Sequence, residues 1–368
     1  MKLRRLTGLL LCLVLLFCTG CSQSAAPRSA PSPTAEEQAL SSLPEDSAKA
    51  PSDQQAEEKT VSAEKNAPAP AQEVSFTLCA YLPVSSMTQG AAAVAEEYAG
   101  SIAALDYLVL NTGAYWDENG ALSLSDELLD AIETLQGKTA LWCTVNPQGA
   151  LIREGTAGQS IDSPQERQAL AQEIAAFAEQ YGLAGIDIDW EFPLDDEWED
   201  FSTFLIALKD TLSRNSEPVA LSLALYPEEI ALSEEAIAAL DRIHVMAYDQ
   251  FDSEGFHSTM QAAEDAVAYF TALGASPQQL VLGIPAYGRP LDGSAQWVFY
   301  KDIDPESISG ENPDLVGDIS FNSTATAAQK TQYALEQNLG GVMVYQLLCD
   351  RNDQDALILA CANMAENA

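Results

Sequence analysis

Positive charge is scarce in this chain: Lys and Arg number 17 against 55 Asp and Glu, a formal net charge of −38 over 368 residues. So acidic a surface repels polyanions, which argues against nucleic acid or an anionic lipid face as a partner. Histidine is equally rare, with only His244 and His257 present. No glycine-rich phosphate loop follows the first apolar run, where Ala80-Tyr81-Leu82-Pro83 stands instead; a nucleotide-binding open sheet would need one. The N-terminal apolar run, Leu9 to Phe17, is too short to read as a membrane span.

What that N-terminus does contain is an export pattern. Lys2, Arg4 and Arg5 precede the apolar run, and Cys18-Thr19-Gly20-Cys21 follows it. Small residues before a cysteine resemble the bacterial lipobox, which implies lipidation of Cys21 and an exported chain tied to the cell envelope by its lipid alone. Cys18 departs from that motif, which usually has Leu there, and a plain secretory signal is the alternative. Residues 22–74 are rich in Ala, Pro, Ser, Glu and Gln and poor in aromatic and β-branched residues, so they form a disordered linker. Its mean reach is about 40 Å if flexible.

Of the seven cysteines, Cys79, Cys143, Cys349 and Cys361 fall beyond the linker. None of these four forms a C-x-x-C pair, and with two histidines a zinc site has no ligand set. Cys79 and Cys143 sit within apolar runs and read as small buried hydrophobes. A bridge between Cys349 and Cys361 is open to an exported protein.

From residue 75 to 368 short apolar runs alternate with amphipathic segments. Strands are predicted at 76–82, 107–110, 140–145, 185–191, 220–225, 243–248, 280–285 and 341–346, with helices between them and one closing the chain. In the helix at 164–181, Leu170, Ile174, Phe177 and Tyr181 form an apolar stripe, and Ser163-Pro164 supplies a cap and a first-turn proline. Eight such alternations fit a closed (β/α)8 TIM barrel, typically about 250 residues; a doubly wound open sheet is the competitor.

The fourth strand carries the chemistry. In Gly185-Ile186-Asp187-Ile188-Asp189-Trp190-Glu191 acidic and apolar residues alternate, so the three carboxylates share one face, about 6.5–7 Å of rise apart. In a barrel, the C-terminal strand ends build the site, which puts Glu191 nearest the mouth. Three neighbouring carboxylates do not all ionise cheaply, so a shared proton and a protonated Glu191, suited to general acid work, are expected. Met246 and Tyr248 share a face of the sixth strand.

This stretch resembles the signature of glycoside hydrolase family 18, D-G-x-D-x-D-x-E. The likeness continues through Val245-Met246-Ala247-Tyr248-Asp249, through Leu282-Gly283-Ile284-Pro285-Ala286-Tyr287-Gly288-Arg289, and through Gly340-Gly341-Val342-Met343. The resemblance implies substrate-assisted hydrolysis beside an N-acetylated sugar, without cofactor or metal. Glu191 would be the acid, Asp189 the partner of the acetamido N–H, Tyr248 the donor to the acetamido oxygen, and Asp187 the sharer of a proton with Asp189. Asp249, Met246, Arg289, Tyr287, Tyr345 and Trp116 are the expected substrate contacts, with Tyr345 where the family usually has Trp. Asp249 and Arg289 read equally as an ion pair.

Three departures qualify the likeness. Ala184 replaces the first Asp of the signature, which is expected to alter proton sharing. The third strand, Leu141-Trp142-Cys143-Thr144-Val145-Asn146, lacks the S-x-G-G motif, and the segment between strands seven and eight is too short for a large α+β insertion. The sequence thus points to a monomeric, lipid-anchored enzyme cutting β-linkages next to N-acetylglucosamine in a short or branched glycan. The competing readings are a carbohydrate-binding relative with little turnover and, from D-x-D-x-E, a divalent-metal site.

Overall fold

The computed structural model describes residues 76–308 and 312–368; the expected targeting segment, Cys21 and nearly all of the linker lie outside them. Eight parallel strands run Thr77–Pro83, Tyr107–Trp116, Ala140–Pro147, Gly185–Ile188, Ala220–Leu225, Arg242–Val245, Leu280–Pro285 and Gly341–Tyr345. Each pairs with its neighbours in sequence order, and the eighth pairs with the first from Thr77 opposite Gly341 to Ala80 opposite Val344. The sheet is therefore a closed barrel, and helices cover its outside. The expected TIM barrel is the fold.

Local sequence explains the elements. Helix Pro164–Tyr181 starts with a capping box, Ser163 accepting from the Glu166 N–H while Glu166 accepts from the Ser163 N–H, and it ends at Gly182 with φ 63°. Such a cap contributes about 1 kcal/mol; the larger contribution is burial of Leu170, Ile174 and Phe177 against the barrel.

Period-two alternation divides each strand between two cores. Ile186, Ile188 and Trp190 face outward into the layer shared with Phe201 and Phe204 of helix Trp198–Leu212. The inward set is unlike the branched aliphatics that usually fill such barrels: Tyr81, Tyr107, Trp142, Met246, Tyr248 and Met343. Among them lie the fully buried polar residues Asp187, Ser222 and His244.

Several boundaries differ from the sequence expectation. The second strand continues past Asn111 to Trp116, through an irregularity between Leu110 and Ala114 where Thr112 has φ 67°. The fourth stops at Ile188, so Asp189 and Glu191 stand on the segment just beyond it. Tyr287–Pro290, Val298–Phe299, Leu315–Val316 and Ile319–Ser320 form a small antiparallel sheet between strands seven and eight. Cys79, Cys143, Cys349 and Cys361 are all buried and free, so the Cys349–Cys361 bridge is not formed.

Barrel closure depends on a close backbone approach at Gly341, where an added Cβ would lie 2.0 Å from the Thr77 carbonyl oxygen. That oxygen belongs to a paired strand and has no room to retreat. Gly341→Ala should therefore destabilise the domain by about 1–3 kcal/mol, read as a lower midpoint of urea unfolding; an unchanged midpoint would show that the seam yields.

Candidate active site

The mouth of the barrel gathers side chains from strands four, six and eight and from the sheet that follows strand seven. Asp187, the deepest acid, accepts hydrogen bonds at Oδ2 from the Tyr81 hydroxyl at 2.8 Å and from Thr144 Oγ1 at 3.2 Å. Ser222 Oγ donates to its Oδ1 at 2.5 Å, and His244 Nδ1 lies 3.2 Å from the same oxygen. A buried carboxylate needs such a set of partners.

Asp189 is held differently. Its backbone N–H donates to Asn146 Oδ1 at 2.8 Å, and its carboxyl pairs with that of Glu191. Burial raises the Asp189 carboxyl well above the usual carboxylate range, and the charges of Glu191 and then Asp187 push it further. Glu191 is exposed as a residue at the rim, but its carboxyl sits against Asp189. Loss of hydration raises it too, opposed by the Asp189 hydrogen bond and assisted by the Asp249 charge. Two carboxyls in contact with one proton between them are the outcome that charge repulsion favours. Asp189 thus hydrogen-bonds Glu191, while Asp187, held by four other groups, acts on it through its charge.

Tyr248 faces this pair. Its ring stacks on Tyr345 with centroids 5.6 Å apart, and its hydroxyl has no hydrogen-bond partner among the described residues. Burial, followed by Tyr345, Asp189 and Glu191, raises its hydroxyl far above the usual tyrosine value, so it remains a donor. Met246 lines the same interior face, 7% exposed. Tyr345 is partly exposed beside Tyr81, Tyr248 and Trp297.

Other expected contacts prove to be supports. Asp249, at φ 62°, accepts from the Tyr287 hydroxyl at 2.7 Å and forms an ion pair with Arg289. Arg289 is 6% exposed and lies over the Phe251 ring, its guanidinium also reaching the Ser294 carbonyl while Nε has no partner among the described residues. Tyr287 is fully buried, its ring covered by Trp297 at 3.8 Å and 4°. Trp297 itself is partly exposed and offers an aromatic surface in its place. Trp116 is also fully buried, but outside the barrel: it donates from Nε1 to Ser160 Oγ at 2.9 Å and packs on Trp190 and Phe204. It cannot line the mouth.

Ala184 needs a correction of a different kind. It lies exposed at the foot of the fourth strand, and its even number puts it on the face of Ile186 and Ile188, away from the acids. An acid there would not have touched Asp187. Sequence reasoning passed over His244, Tyr81, Ser222 and Thr144 as partners of Asp187, although His244 shares the parity of Met246 and Tyr248.

Residues 57–350 match the family model described as glycosyl hydrolases family 18. The chain is 27% identical over 181 residues to a probable chitinase 2 of Drosophila melanogaster, covering 44% of this chain and 37% of that protein. It therefore spans well under half the length of that relative. In structure it resembles a family 18 chitinase of Flavobacterium johnsoniae, with TM-score 0.67 and 22% identity over 79% of this chain and 94% of the other. A mutant chitinase of Cycas revoluta in complex with (GlcNAc)4 has TM-score 0.61 and 20% identity over 78% and 99%. At these identities the structural likeness bears on the fold.

The raised Asp189 carboxyl has a measurable cost. The folded state holds its proton to higher pH than the unfolded chain does, so its contribution to stability falls as pH rises from about 4, the unfolded value, through the folded one. Asp189→Asn removes that penalty and keeps a donor to Glu191. Its thermal midpoint at pH 7 should exceed that of the wild type, with the gap closing towards about pH 4; a lower midpoint at pH 7 would mean that Asp189 stabilises the fold.

Proposed function

Because the chain belongs to glycosyl hydrolase family 18, we propose that it hydrolyses β-glycosidic bonds next to N-acetylglucosamine with retention of configuration. The observation that carries this reading is the Asp189 carboxyl set against that of Glu191, with the unpartnered Tyr248 hydroxyl beside them. Glu191, at the rim, gives its proton to the glycosidic oxygen. The substrate's own acetamido oxygen attacks the anomeric carbon as that bond breaks, held in line by the Tyr248 hydroxyl. Positive charge then develops on the acetamido group, and Asp189, its proton passed to Glu191, balances that charge and accepts the acetamido N–H. Water deprotonated by Glu191 opens the oxazolinium ion and returns the sugar with its original anomeric configuration. Each step moves a proton between these residues and the substrate, so the activity should resist EDTA.

The substrate we assign is a short or branched N-acetylglucosamine glycan, from chitin oligomers, peptidoglycan fragments or glycoproteins. Support comes from the small sheet between strands seven and eight, beside which Trp297 meets Tyr345 of strand eight as the aromatic surface of the mouth. The (GlcNAc)4 complex of the Cycas revoluta mutant is consistent with such a ligand. We further assign export and anchoring through lipidated Cys21, with residues 22–74 as a flexible tether and the barrel acting as a monomer.

Glu191→Gln should reduce hydrolysis of a chromogenic N-acetylglucosamine oligomer by about 10²–10⁴-fold while leaving oligomer binding within a few-fold. Wild-type protein that binds such glycans without cleaving any of them would assign the barrel to carbohydrate recognition instead. For the anchor, Cys21→Ser should abolish incorporation of labelled fatty acid and release the protein from membranes; membrane retention without the label would refute lipidation.

A further inference from the structure

Below the catalytic acids a second polar layer crosses the barrel, centred on His244. The residue is fully buried, and both ring nitrogens meet tyrosine hydroxyls: Nδ1 lies 2.6 Å from Tyr81 and Nε2 2.9 Å from Tyr107. Tyr81 gives its single hydroxyl proton to Asp187 Oδ2. The Tyr81–His244 contact must then run from Nδ1–H to the Tyr81 oxygen. The same Nδ1 lies 3.2 Å from Asp187 Oδ1. Tyr107 completes the layer on the Nε2 side, its ring fixed by Trp142 stacked at 4.3 Å. Apolar side chains would fill this interior without any desolvation cost, so a hydrogen-bonded strut here calls for a use.

We propose that His244 is a positioning residue for hydrolysis: with Tyr81 it turns Asp187 towards the barrel interior, which leaves Asp189 free to share its proton with Glu191. This rests on Glu191 being the acid. Without the strut, Asp187 loses its His244 contact and its lock on Tyr81, and it can swing up to compete for the proton of Asp189. The titratable and charged groups around the ring are Cys79 and Tyr81 on the first strand, Tyr107 on the second, Asp187 on the fourth with Asp189 just beyond it, and Arg242 on its own strand. Ser222 and Thr144 brace Asp187 from the fifth and third.

His244→Asn should lower kcat on the chromogenic oligomer by about 10–100-fold, with KM nearly unchanged, and should displace the pH profile of kcat. Tyr107→Phe removes only the far hydroxyl and should do the same to a smaller degree; it also serves should His244→Asn not fold. A wild-type pH profile in a folded variant would overturn the proposal. A second readout needs no turnover. Because the chain has only two histidines, ring signals of histidine-labelled protein separate readily, and Asp187→Asn should move those of His244 while leaving those of His257 in place. Unmoved His244 signals would refute the coupling even if Glu191→Gln confirms the acid. Moved signals together with an active Glu191→Gln would place the failure in the catalytic reading alone.

Discussion

Three carboxylates within five residues, at the end of the fourth strand and just beyond it, set the problem that the rest of the barrel solves. Like charges at such spacing repel strongly where the dielectric is low, and there are two ways to accommodate them. Asp187 follows one: it is surrounded by Tyr81, Thr144, Ser222 and His244 from strands one, three, five and six. Asp189 and Glu191 follow the other by holding a proton between them. The deep acid keeps its partners and the outer pair keeps its proton. In the proposed mechanism that division supplies a general acid at the rim and a carboxylate behind it at the moment positive charge appears.

The walls of the mouth follow from the same constraint. An extra positive charge against Glu191 would draw off its proton, and the Arg289 guanidinium of this wall is paired with Asp249. Asp249 is in turn fixed by the Tyr287 hydroxyl and by its own N–H to His257 Nε2. Tyr287 is clamped under Trp297. Asp249, Tyr287 and Arg289 thus form a connected frame behind Tyr248, Tyr345 and Trp297. Gly283 belongs to this frame as well: a Cβ there would lie 2.9 Å from the Tyr248 ring and 2.4 Å from the Val245 carbonyl, so only glycine lets Tyr248 settle beside the seventh strand.

Much of this was legible in the residues, and the failures have identifiable causes. Eight apolar runs with helical segments between them carried the barrel, because period two and period 3.6 are local properties. The acids and Tyr248 were legible for the same reason. Trp116 was misplaced because Asn111-Thr112-Gly113 reads as a strand end. The strand in fact continues through the irregularity, and Trp116 keeps the outward parity of Leu108 and Leu110. Tyr287 and Arg289 were misread because they leave the barrel after Pro285 and turn into an antiparallel sheet that covers them, a tertiary event with no local signature. His244 was overlooked even though the signal existed: it precedes Met246 and Tyr248 by two and four residues and must face the same interior.

The same parity argument removes the apparent defect in the acidic series. On a pleated strand, residues separated by an odd number of positions point to opposite faces, and Ala184 is three positions from Asp187. The fourth strand's outward face holds Ile186, Ile188 and Trp190 against the helices. A carboxylate at 184 would therefore stand in the exposed ring at the foot of the barrel, with the packed interior between it and Asp189. At that separation it would carry no hydrogen bond to the catalytic pair, and solvent would screen what charge interaction remained. What holds the protonation of Asp189 and Glu191 lies instead on the inward face, where Asp187 meets Tyr81 and His244. The residue that matters below the acids is thus supplied by the sixth strand, two positions before Met246, and not by the start of the fourth.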